Sequence, residues 1–264
     1  MRLALAQFSA EADKEANLKV IGEYVAAAAD GGARLVIFPE VAMFFMAQPD
    51  DQFVAAAEPV DGPFAQAVAD LARRHRISVL YGGSETVPGE DRVYNTLVAL
   101  GADGSLLGTY RKLHLYDAFG YLESERVRPG EHGDPLTFPV DDLVVGALTC
   151  YDVRFPEAFR QVVDAGAQVV ALPAAWAAGP RKEAHWDTLV RARAIENTVY
   201  VAACGQTPPR CCGNSALIDP MGIAVSALGE AAGITFGDVH VDRVEAVRAK
   251  NPSLANRRFT VSPR

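Results

Sequence analysis

The chain has 264 residues, 50% of them hydrophobic, and a formal net charge of -8. This acidic balance argues against a nucleic-acid or anionic-membrane surface, where a stripe of basic residues is expected, and no apolar run approaches the roughly 18 residues that span a bilayer. The 4 cysteines are too few for a disulfide scaffold, so a reducing, cytoplasmic location is expected.

Apolar runs of strand type alternate with helical patterns along the chain, which is typical of an α/β fold. The first run is too short for the core of a signal peptide and predicts a buried strand. In the helix that follows, apolar residues recur at helical spacing, and a proline opens the next helix. The elements predicted here are a strand over residues 2–8, a helix over 14–30, a strand over 33–40, a helix over 63–75 and a strand over 77–83.

The second group of elements begins after a predicted hairpin. Asp103-Gly104 lies between two apolar runs and predicts a tight turn. Residues 113–135 form the longest irregular stretch, and a loop of that length in a compact domain is usually functional or disordered. The elements predicted beyond it are a strand over residues 143–150, a short helix from Pro156, a strand over 167–176, a helix over 181–197 and three or four strands between 199 and 241.

A faint internal repeat relates the two halves of the chain. The segment DGGARLVIFPE, residues 30–40, is similar to DAGAQVVALPA, residues 164–174, and each follows a strand-plus-helix unit. Continuous apolar strands indicate sheets that are covered on both faces. We therefore expect a single domain over residues 1–264, in which two related halves form two sheets packed face to face with helices outside.

Three residues of different chemistry share one placement. Glu40, Lys112 and Cys150 each end a predicted strand, and α/β sheets bind ligands beyond the carboxyl ends of their strands. A thiol needs a base, which Glu40 can supply if partial burial raises the pKa of its carboxyl toward neutrality. Lys112 and the backbone N–H of Tyr151 can stabilise an oxyanion. The set predicts acyl transfer from an amide or a nitrile through a thioester.

Each of these side chains also has a structural interpretation. Cys150 can be an inert core thiol, Glu40 can cap a helix, and Lys112 can be a solvated charge on an edge strand. Their joint placement favours catalysis. The adjacent Cys211 and Cys212 cannot readily form a disulfide with each other and lack zinc-ligand spacing to a second pair, so they are expected to be core or loop thiols.

Three motifs, LVIFPE, GTYRKLHLYD and LTCYDVRFPE, resemble those of the nitrilase superfamily of carbon–nitrogen hydrolases, in the same order and at similar spacing. Flanking segments such as LPAAW and GNSALIDPMG are also similar, so the resemblance extends from residue 1 to about 245. It implies a four-layer αββα sandwich of two mixed sheets with helices outside, commonly assembled as a homodimer or a higher homo-oligomer. It also implies a small-molecule amide substrate, with no cofactor and no metal.

The resemblance also implies roles for particular residues. Glu40 is expected as the general base, Lys112 as the oxyanion stabiliser and Cys150 as the nucleophile. Many members use a further glutamate in the loop between the lysine and the cysteine. The segment YLESERVRPG is similar to that part of the family and places the glutamate at Glu123, with Glu125 as the alternative.

Within the superfamily, CYDVRFPE and HWDTLVRARAIENTVYV look most like the Nit-type amidases. These include ω-amidase and the amidase acting on deaminated glutathione, whose substrates combine an amide with a carboxylate, and the expected reaction releases ammonia. Arg154 either binds this carboxylate or pairs with Asp152 or Glu157 as structural support. Two other functions stay open: a nitrilase or an N-carbamoyl or ureido amidohydrolase with the same three residues, and a catalytically silent scaffold protein.

Overall fold

The structure is a computed structural model that describes residues 1–262. The first half of the chain contributes five strands of one sheet, together with three helices. Its elements are β1 (Arg2–Gln7), α1 (Lys14–Asp30), β2 (Leu35–Ile37), α2 (Asp51–Ala56), α3 (Pro63–His75), β3 (Ser78–Thr86), β4 (Val93–Leu100) and β5 (Leu106–Arg111).

A loop with little regular structure connects this half to the second. The loop contains β6 (Asp117–Ala118), β7 (Tyr121–Leu122), a 3-10 turn (Glu123–Glu125) and β8 (Val127–Arg128). The elements that follow are β9 (Thr137–Val140), β10 (Leu143–Ala147), a 3-10 helix (Cys150–Arg154), α4 (Pro156–Asp164), β11 (Val169–Ala174), α5 (Lys182–Asn197), β12 (Tyr200–Gly205), β13 (Ala216–Ile218), β14 (Ala224–Ala227), β15 (Gly233–Asp238) and α6 (Val241–Lys250).

Local sequence explains where the first long helices begin and end. The Asp13 carboxylate accepts hydrogen bonds from the N–H groups of Glu15 at 2.9 Å and Ala16 at 3.1 Å. These two N–H groups have no acceptor within α1, so the cap satisfies them. Helix α3 starts at Pro63, whose fixed φ suits a first turn, and is closed by Arg76 in the left-handed conformation. Both helices therefore have the bounds predicted from the sequence.

Two mixed sheets carry the fold, and their topologies match. The strand order is β15-β1-β2-β3-β4-β5 in the first sheet, with β8 added beside β4, and β14-β13-β12-β11-β10-β9 in the second. In each half three parallel strands are followed by two antiparallel ones, so β1 to β5 correspond to β10 to β14. This correspondence confirms the two related halves, since the repeated segments contain β2 and β11.

Side chains of the first sheet alternate between two apolar clusters, as the pleat of a strand requires. Leu3 and Leu5 belong to the cluster shared with the second sheet, whereas Ala4 belongs to the cluster shared with α1 and α3. Helices α4 and α5 cover the second sheet through buried residues such as Phe159 and Trp186. The four-layer αββα sandwich is confirmed, and no helix within residues 1–262 is long and apolar enough to cross a membrane.

Several strands are shorter than predicted, and in two of them this changes how the site is built. Strand β2 ends at Ile37 and β10 at Ala147, so Glu40 lies in a turn and Cys150 in a 3-10 helix beyond the strands, whereas Lys112 follows β5 directly. The predicted strand ends were wrong because the apolar sequence continues into turns that are themselves buried.

Other elements were not predicted because their local signal is weak. Helix α2 has 6 residues, and β6, β7 and β8 have 2 each. Strand β8 exists through its pairing with β4, which lies far from it in sequence. Such elements depend on tertiary contacts that periodicity does not encode.

Candidate active site

A cavity of about 380 Å³ lies beyond the carboxyl ends of β2, β5, β10 and β11. Glu40, Lys112, Cys150 and Ala175 follow these four strands and all line the cavity. The structure thus brings together the acid, the amine and the thiol that the sequence placed after three separate strands. The connecting loop adds Glu123 to the same wall.

Lys112 lies between two carboxylates. Its Nζ donates to Glu40 Oε1 at 2.8 Å and to Glu123 Oε1 and Oε2 at 3.0 and 2.8 Å. Burial disfavours the charged ammonium, but the negative charges of Glu123 and Glu40 outweigh it and raise the pKa of Lys112 well above its usual value. Lys112 is therefore a cation at any pH near neutrality.

Glu40 is held as an ionised carboxylate. Its Oε1 also accepts from Asn95 Nδ2 at 2.8 Å, and its Oε2 accepts from the backbone N–H of Ala175 at 2.7 Å. Burial acts to raise the pKa of Glu40, but the charge of Lys112 and the hydrogen bonds from Lys112 and Ala175 hold it below its usual value. The expectation of a raised pKa for Glu40 is wrong, because it counted burial without the lysine contact.

Cys150 begins the 3-10 helix after β10 with a φ of 45°. A left-handed backbone costs a residue with a Cβ about 1–2 kcal/mol, and such strain is common at active sites. Burial, together with the nearby charge of Glu40, raises the pKa of Cys150 well above its usual value. The resting site therefore holds a protonated thiol beside an ionised carboxylate.

The buried carboxylate of Asp152 fixes the turn that carries Cys150. Its Oδ2 accepts from the N–H of Thr149 at 2.9 Å and from the hydroxyl of Tyr110 at 2.8 Å, and its Oδ1 lies 2.7 Å from His114 Nδ1. His114 is thus engaged by Asp152. Sequence reasoning missed this network, because it depends on the approach of β5 to the 3-10 helix.

Glu123 is the fourth of the predicted catalytic residues. Its Oε1 accepts from Asn95 Nδ2 at 3.1 Å, and its Oε2 accepts from the backbone N–H of Tyr116 at 2.6 Å. Glu125, the alternative, is exposed to solvent. The geometry favours Glu123, in agreement with the Glu-Ser pair that marked it in the sequence.

Tyr151 follows Cys150 as the second residue of the 3-10 helix. The first N–H groups of a helix have no acceptor within that helix, so the Tyr151 N–H can take the expected role of oxyanion donor. Its ring lines the cavity and lies edge-on to Tyr116, with ring centroids 5.2 Å apart.

Arg154 has neither of the ion pairs expected from the sequence. Among residues 1–262 it forms no salt bridge with Asp152 or Glu157. Its Nη2 lies 3.4 Å from His185 Nδ1, and its guanidinium carbon lies 4.9 Å from the centroid of the Trp176 ring. Its buried Nε has no partner within the described chain. The expectation that Arg154 pairs with one of these acids as structural support is therefore wrong. Binding of a substrate carboxylate by Arg154 stays a prediction.

The remaining cavity wall is mainly aromatic and apolar, and includes Phe45, Met46, Phe53, Phe119, Tyr121 and Trp176. It also holds two cations, Lys182 and Arg210, and the buried Cys211. In the part of the chain that is described, no group of three or more His, Cys, Asp or Glu side chains is placed to hold a metal ion.

The sequence matches the family model for carbon-nitrogen hydrolases over residues 2–249. It is 38% identical over 260 residues to the deaminated glutathione amidase of Escherichia coli O157:H7, covering 98% of each chain. The NitFhit protein of C. elegans has a similar structure, with a TM-score of 0.89 and 31% identity over 97% of this chain and 65% of that one.

A solved amidase of the nitrilase superfamily, from Nesterenkonia AN1, is also similar. Its TM-score is 0.79, with 28% identity and 95% of each chain covered. Another structure of that amidase contains acrylamide added to the active-site cysteine.

The fold, the cavity and the amidases among these relatives define an amidohydrolase. The chain belongs to the carbon–nitrogen hydrolase family, within the nitrilase superfamily that its motifs resemble. The interpretation as a catalytically silent scaffold is set aside, because family membership and the amidase relatives support an enzyme.

Proposed function

We propose that this amidohydrolase cleaves a small amide through a thioester on Cys150, with Glu40 as the general base. The proposal rests on one observation: Cys150, Glu40 and Lys112 line the same cavity, and the Glu40 carboxylate accepts a hydrogen bond from Lys112 Nζ at 2.8 Å. A candidate nucleophile, a candidate base and a fixed cation thus lie together in one cavity. This is the arrangement that nucleophilic catalysis requires.

In the proposed acylation, the proton of Cys150 passes to Glu40 as sulfur bonds to the amide carbon. The carbonyl oxygen takes the negative charge and accepts hydrogen bonds from Lys112 and the N–H of Tyr151. Glu40 then gives the proton to the leaving nitrogen, which departs as ammonia or as an amine.

In the proposed deacylation, Glu40 takes a proton from a water molecule that attacks the thioester. The same proton returns to the sulfur of Cys150 as the carbon–sulfur bond breaks, and the product acid leaves. Because one carboxylate handles every proton, each turnover restores the resting state of the site.

Glu123 is proposed to position Lys112 for this chemistry. Both of its oxygens accept from the Lys112 ammonium, and the Tyr116 N–H and the Asn95 amide fix the carboxylate in turn. Because carboxylates on two sides already fix the orientation of the ammonium, little further entropy is lost when the ammonium binds the oxyanion.

The proposed substrate is an ω-amide or another amide that carries a carboxylate. Support comes from the relatives named as deaminated glutathione amidases, at 38% identity in Escherichia coli and 32% in Homo sapiens. A nitrile or an N-carbamoyl compound would use the same three residues.

A substrate panel tests the proposal. It contains ω-amides, deaminated glutathione, N-carbamoyl acids and nitriles, and both ammonia or amine and carbon dioxide are measured. We expect the highest kcat/KM for carboxylate-bearing amides, with no carbon dioxide released. Carbon dioxide released together with ammonia would identify an N-carbamoyl amidohydrolase instead, and preferred turnover of nitriles would identify a nitrilase.

We also propose that the enzyme works in the cytoplasm as a homodimer. Its four cysteines are free thiols and buried, which suits a reducing compartment. Four apolar side chains on α5 and around β14 are between 43% and 59% exposed, and they form the surface proposed for dimerisation: Ile195, Met221, Ile223 and Val225. Exposed apolar patches of this kind mark protein contacts.

A further inference from the structure

Lys182 is a buried cation in the cavity that the proposed chemistry does not use. It is 6% exposed and lines the same cavity as Cys150. Among residues 1–262 it forms no salt bridge, whereas Lys112 in the same wall has two carboxylates. A buried charge without an opposite charge is costly, so the ammonium of Lys182 lowers the stability of the fold unless an opposite charge binds beside it.

The position of Lys182 in its helix adds to that cost. It is the first residue of α5, which has 16 residues. The first turn of a helix carries partial positive charge and favours acidic side chains over basic ones. The buried ammonium therefore lies where both desolvation and the helix dipole oppose it.

The surrounding groups hold the ammonium but leave donors open. Its Nζ donates to the Tyr116 hydroxyl at 3.0 Å, the one hydrogen bond it makes to the described residues. The ring centroids of Phe119, Trp176 and Tyr116 lie 4.7, 4.8 and 4.9 Å away, which stabilises a cation through the ring faces. An ammonium has three N–H donors, so two remain for a ligand in the cavity.

The backbone of Lys182 is fixed as well. Trp176 Nε1 donates to the carbonyl oxygen of Lys182 at 2.8 Å, which ties the start of α5 to the cavity wall. Tyr116 connects this cation to the catalytic group, since its hydroxyl contacts Lys182 and its N–H contacts Glu123. The cation is thus held ready before any ligand binds, as a recognition site requires.

A second cation extends the positive charge toward solvent. Arg210 lines the cavity and is exposed, with its guanidinium carbon 5.6 Å from the centroid of the Phe45 ring. It forms no salt bridge within the described residues either. Beyond the pair of carboxylates bound to Lys112, the cavity therefore presents positive charge to a ligand.

We propose that Lys182 binds the carboxylate of the amide substrate and so selects amides that carry a negative charge. The inference rests on the proposed amidase function. It assigns to Lys182 the binding of the substrate carboxylate that the sequence motifs suggested for Arg154. Arg154 also lies over the Trp176 ring, but it is not among the cavity-lining residues of the described chain.

A matched pair of substrates tests this role. Glutaramate and pentanamide have the same chain length and differ in that a carboxylate replaces a methyl group. In Lys182→Met we expect kcat/KM for glutaramate to fall about 10- to 100-fold, because hydrogen bonds to a charged group are lost. For pentanamide we expect a change within about 2-fold, since its methyl end makes no such bonds.

Two further variants control this comparison. Lys182→Arg keeps the charge and is expected to recover most of the glutaramate activity. Lys19→Met removes an exposed lysine on α1 and is expected to change neither substrate. An equal fall for both substrates in Lys182→Met would show a structural role and overturn the proposal, as would an unchanged kcat/KM for glutaramate.

Binding without turnover separates this proposal from the amidase proposal. Titration calorimetry of glutaramate into Cys150→Ala should give a Kd that rises about 10- to 100-fold when Lys182→Met is added. This result would support the carboxylate site even if the wild-type enzyme hydrolysed none of the amides. Absence of glutaramate binding to Cys150→Ala, or binding independent of Lys182, would overturn the site.

Discussion

Lys112 is the residue that sets the charge state of the proposed site. Its ammonium contacts both buried carboxylates, and its charge is the main reason why the pKa of Glu40 lies below its usual value despite burial. The base is therefore ionised before substrate binds, while the thiol of Cys150 is kept protonated. In the proposed mechanism the proton moves when the carbon–sulfur bond forms, and no thiolate has to accumulate beforehand.

This charge state predicts a broad pH profile. Because the pKa of Glu40 is depressed, activity is lost on the acid side only as the pH falls through that depressed value. The raised pKa values of Cys150 and Lys112 add no alkaline limb near neutrality. We expect kcat/KM to stay constant from about pH 5 to about pH 8. An acid limb near pH 6–7, as a raised Glu40 would give, would contradict this account.

Removing the cation should affect stability in a pH-dependent way. Lys112→Met leaves Glu40 buried without its charge partner, at a cost of about 3–5 kcal/mol near neutral pH. Without the lysine, burial raises the pKa of Glu40 above its unfolded value, so the variant gains stability as the pH falls and loses it as the pH rises. Urea unfolding at pH 5 and pH 8 measures the free energy of unfolding of the wild type and the variant. A destabilisation by Lys112→Met that is the same at both pH values would contradict this expectation.

At the residue scale, sequence motifs pointed to the acids, the amine and the thiol that the cavity brings together, but not to their protonation. Side-chain type and the family resemblance pointed to Glu40, Lys112, Cys150 and Glu123. The sign of a pKa shift depends on distances of about 3 Å between groups far apart in sequence. For the same reason, the only sequence feature associated with Lys182 was its place in a helical pattern, which does not mark a cavity residue.

Gly82 in β3 allows the turn that carries Glu40 to pack closely against this strand. A Cβ added at Gly82 would lie 2.5 Å from the Val41 nitrogen and 2.8 Å from Glu40 Cα, whereas one at Gly83 would lie no closer than 3.4 Å, to Met43 Sδ. The backbone of β3 and the turn after β2 thus approach more closely than any side chain allows. The position of the proposed base depends on the packing of two neighbouring elements.

Gly82→Ala should therefore displace Glu40 although it lies outside the cavity wall. We expect a loss of about 1–3 kcal/mol in stability from overpacking and a fall in kcat of about tenfold or more, with KM less affected. Gly83→Ala is the matched control on the same strand and should leave kcat within about 2-fold, since its added Cβ makes ordinary contacts. Equal kinetics for the two variants would contradict the positioning role.

At the element scale, helix bounds were predicted best, because caps and prolines act locally. Helix α1 has the bounds expected from periodicity and is capped by Asp13. The ends of β2 and β10 were placed too late, because hydrogen bonding with a neighbouring strand determines where a strand stops. These misplaced ends are the turns in which Glu40 and Cys150 lie.

At the scale of the whole molecule, the matching order of strands β1 to β5 and β10 to β14 explains why the site lies between two halves. Both sheets direct the carboxyl ends of their parallel strands to one cavity, so Glu40 from the first half meets Cys150 from the second. The repeat was visible in the sequence as a short similarity, and the resemblance implied the sandwich. Assembly beyond one chain was implied by the resemblance alone.

The proposed dimer surface makes a prediction at this scale. Ile223→Asp places a charge in the exposed apolar group formed with Ile195, Met221 and Val225, and should convert a dimer into monomers. Leu106→Asp is the control, because Leu106 is 50% exposed on β5, an edge strand of the other sheet from β14. Light scattering after gel filtration measures the mass. A wild-type monomer, or a dimer that persists in Ile223→Asp, would contradict the assignment.

The central claim, a thioester on Cys150, is tested most directly by rapid acid quench of the working enzyme followed by intact-mass measurement and peptide mapping. We expect the acyl group of the substrate to appear on the peptide containing Cys150 within the first turnover. We expect Cys150→Ala to show neither the adduct nor turnover, and Cys150→Ser to fold but turn over poorly. Wild-type-like amide hydrolysis by Cys150→Ala, or an acyl group on another residue, would contradict the claim.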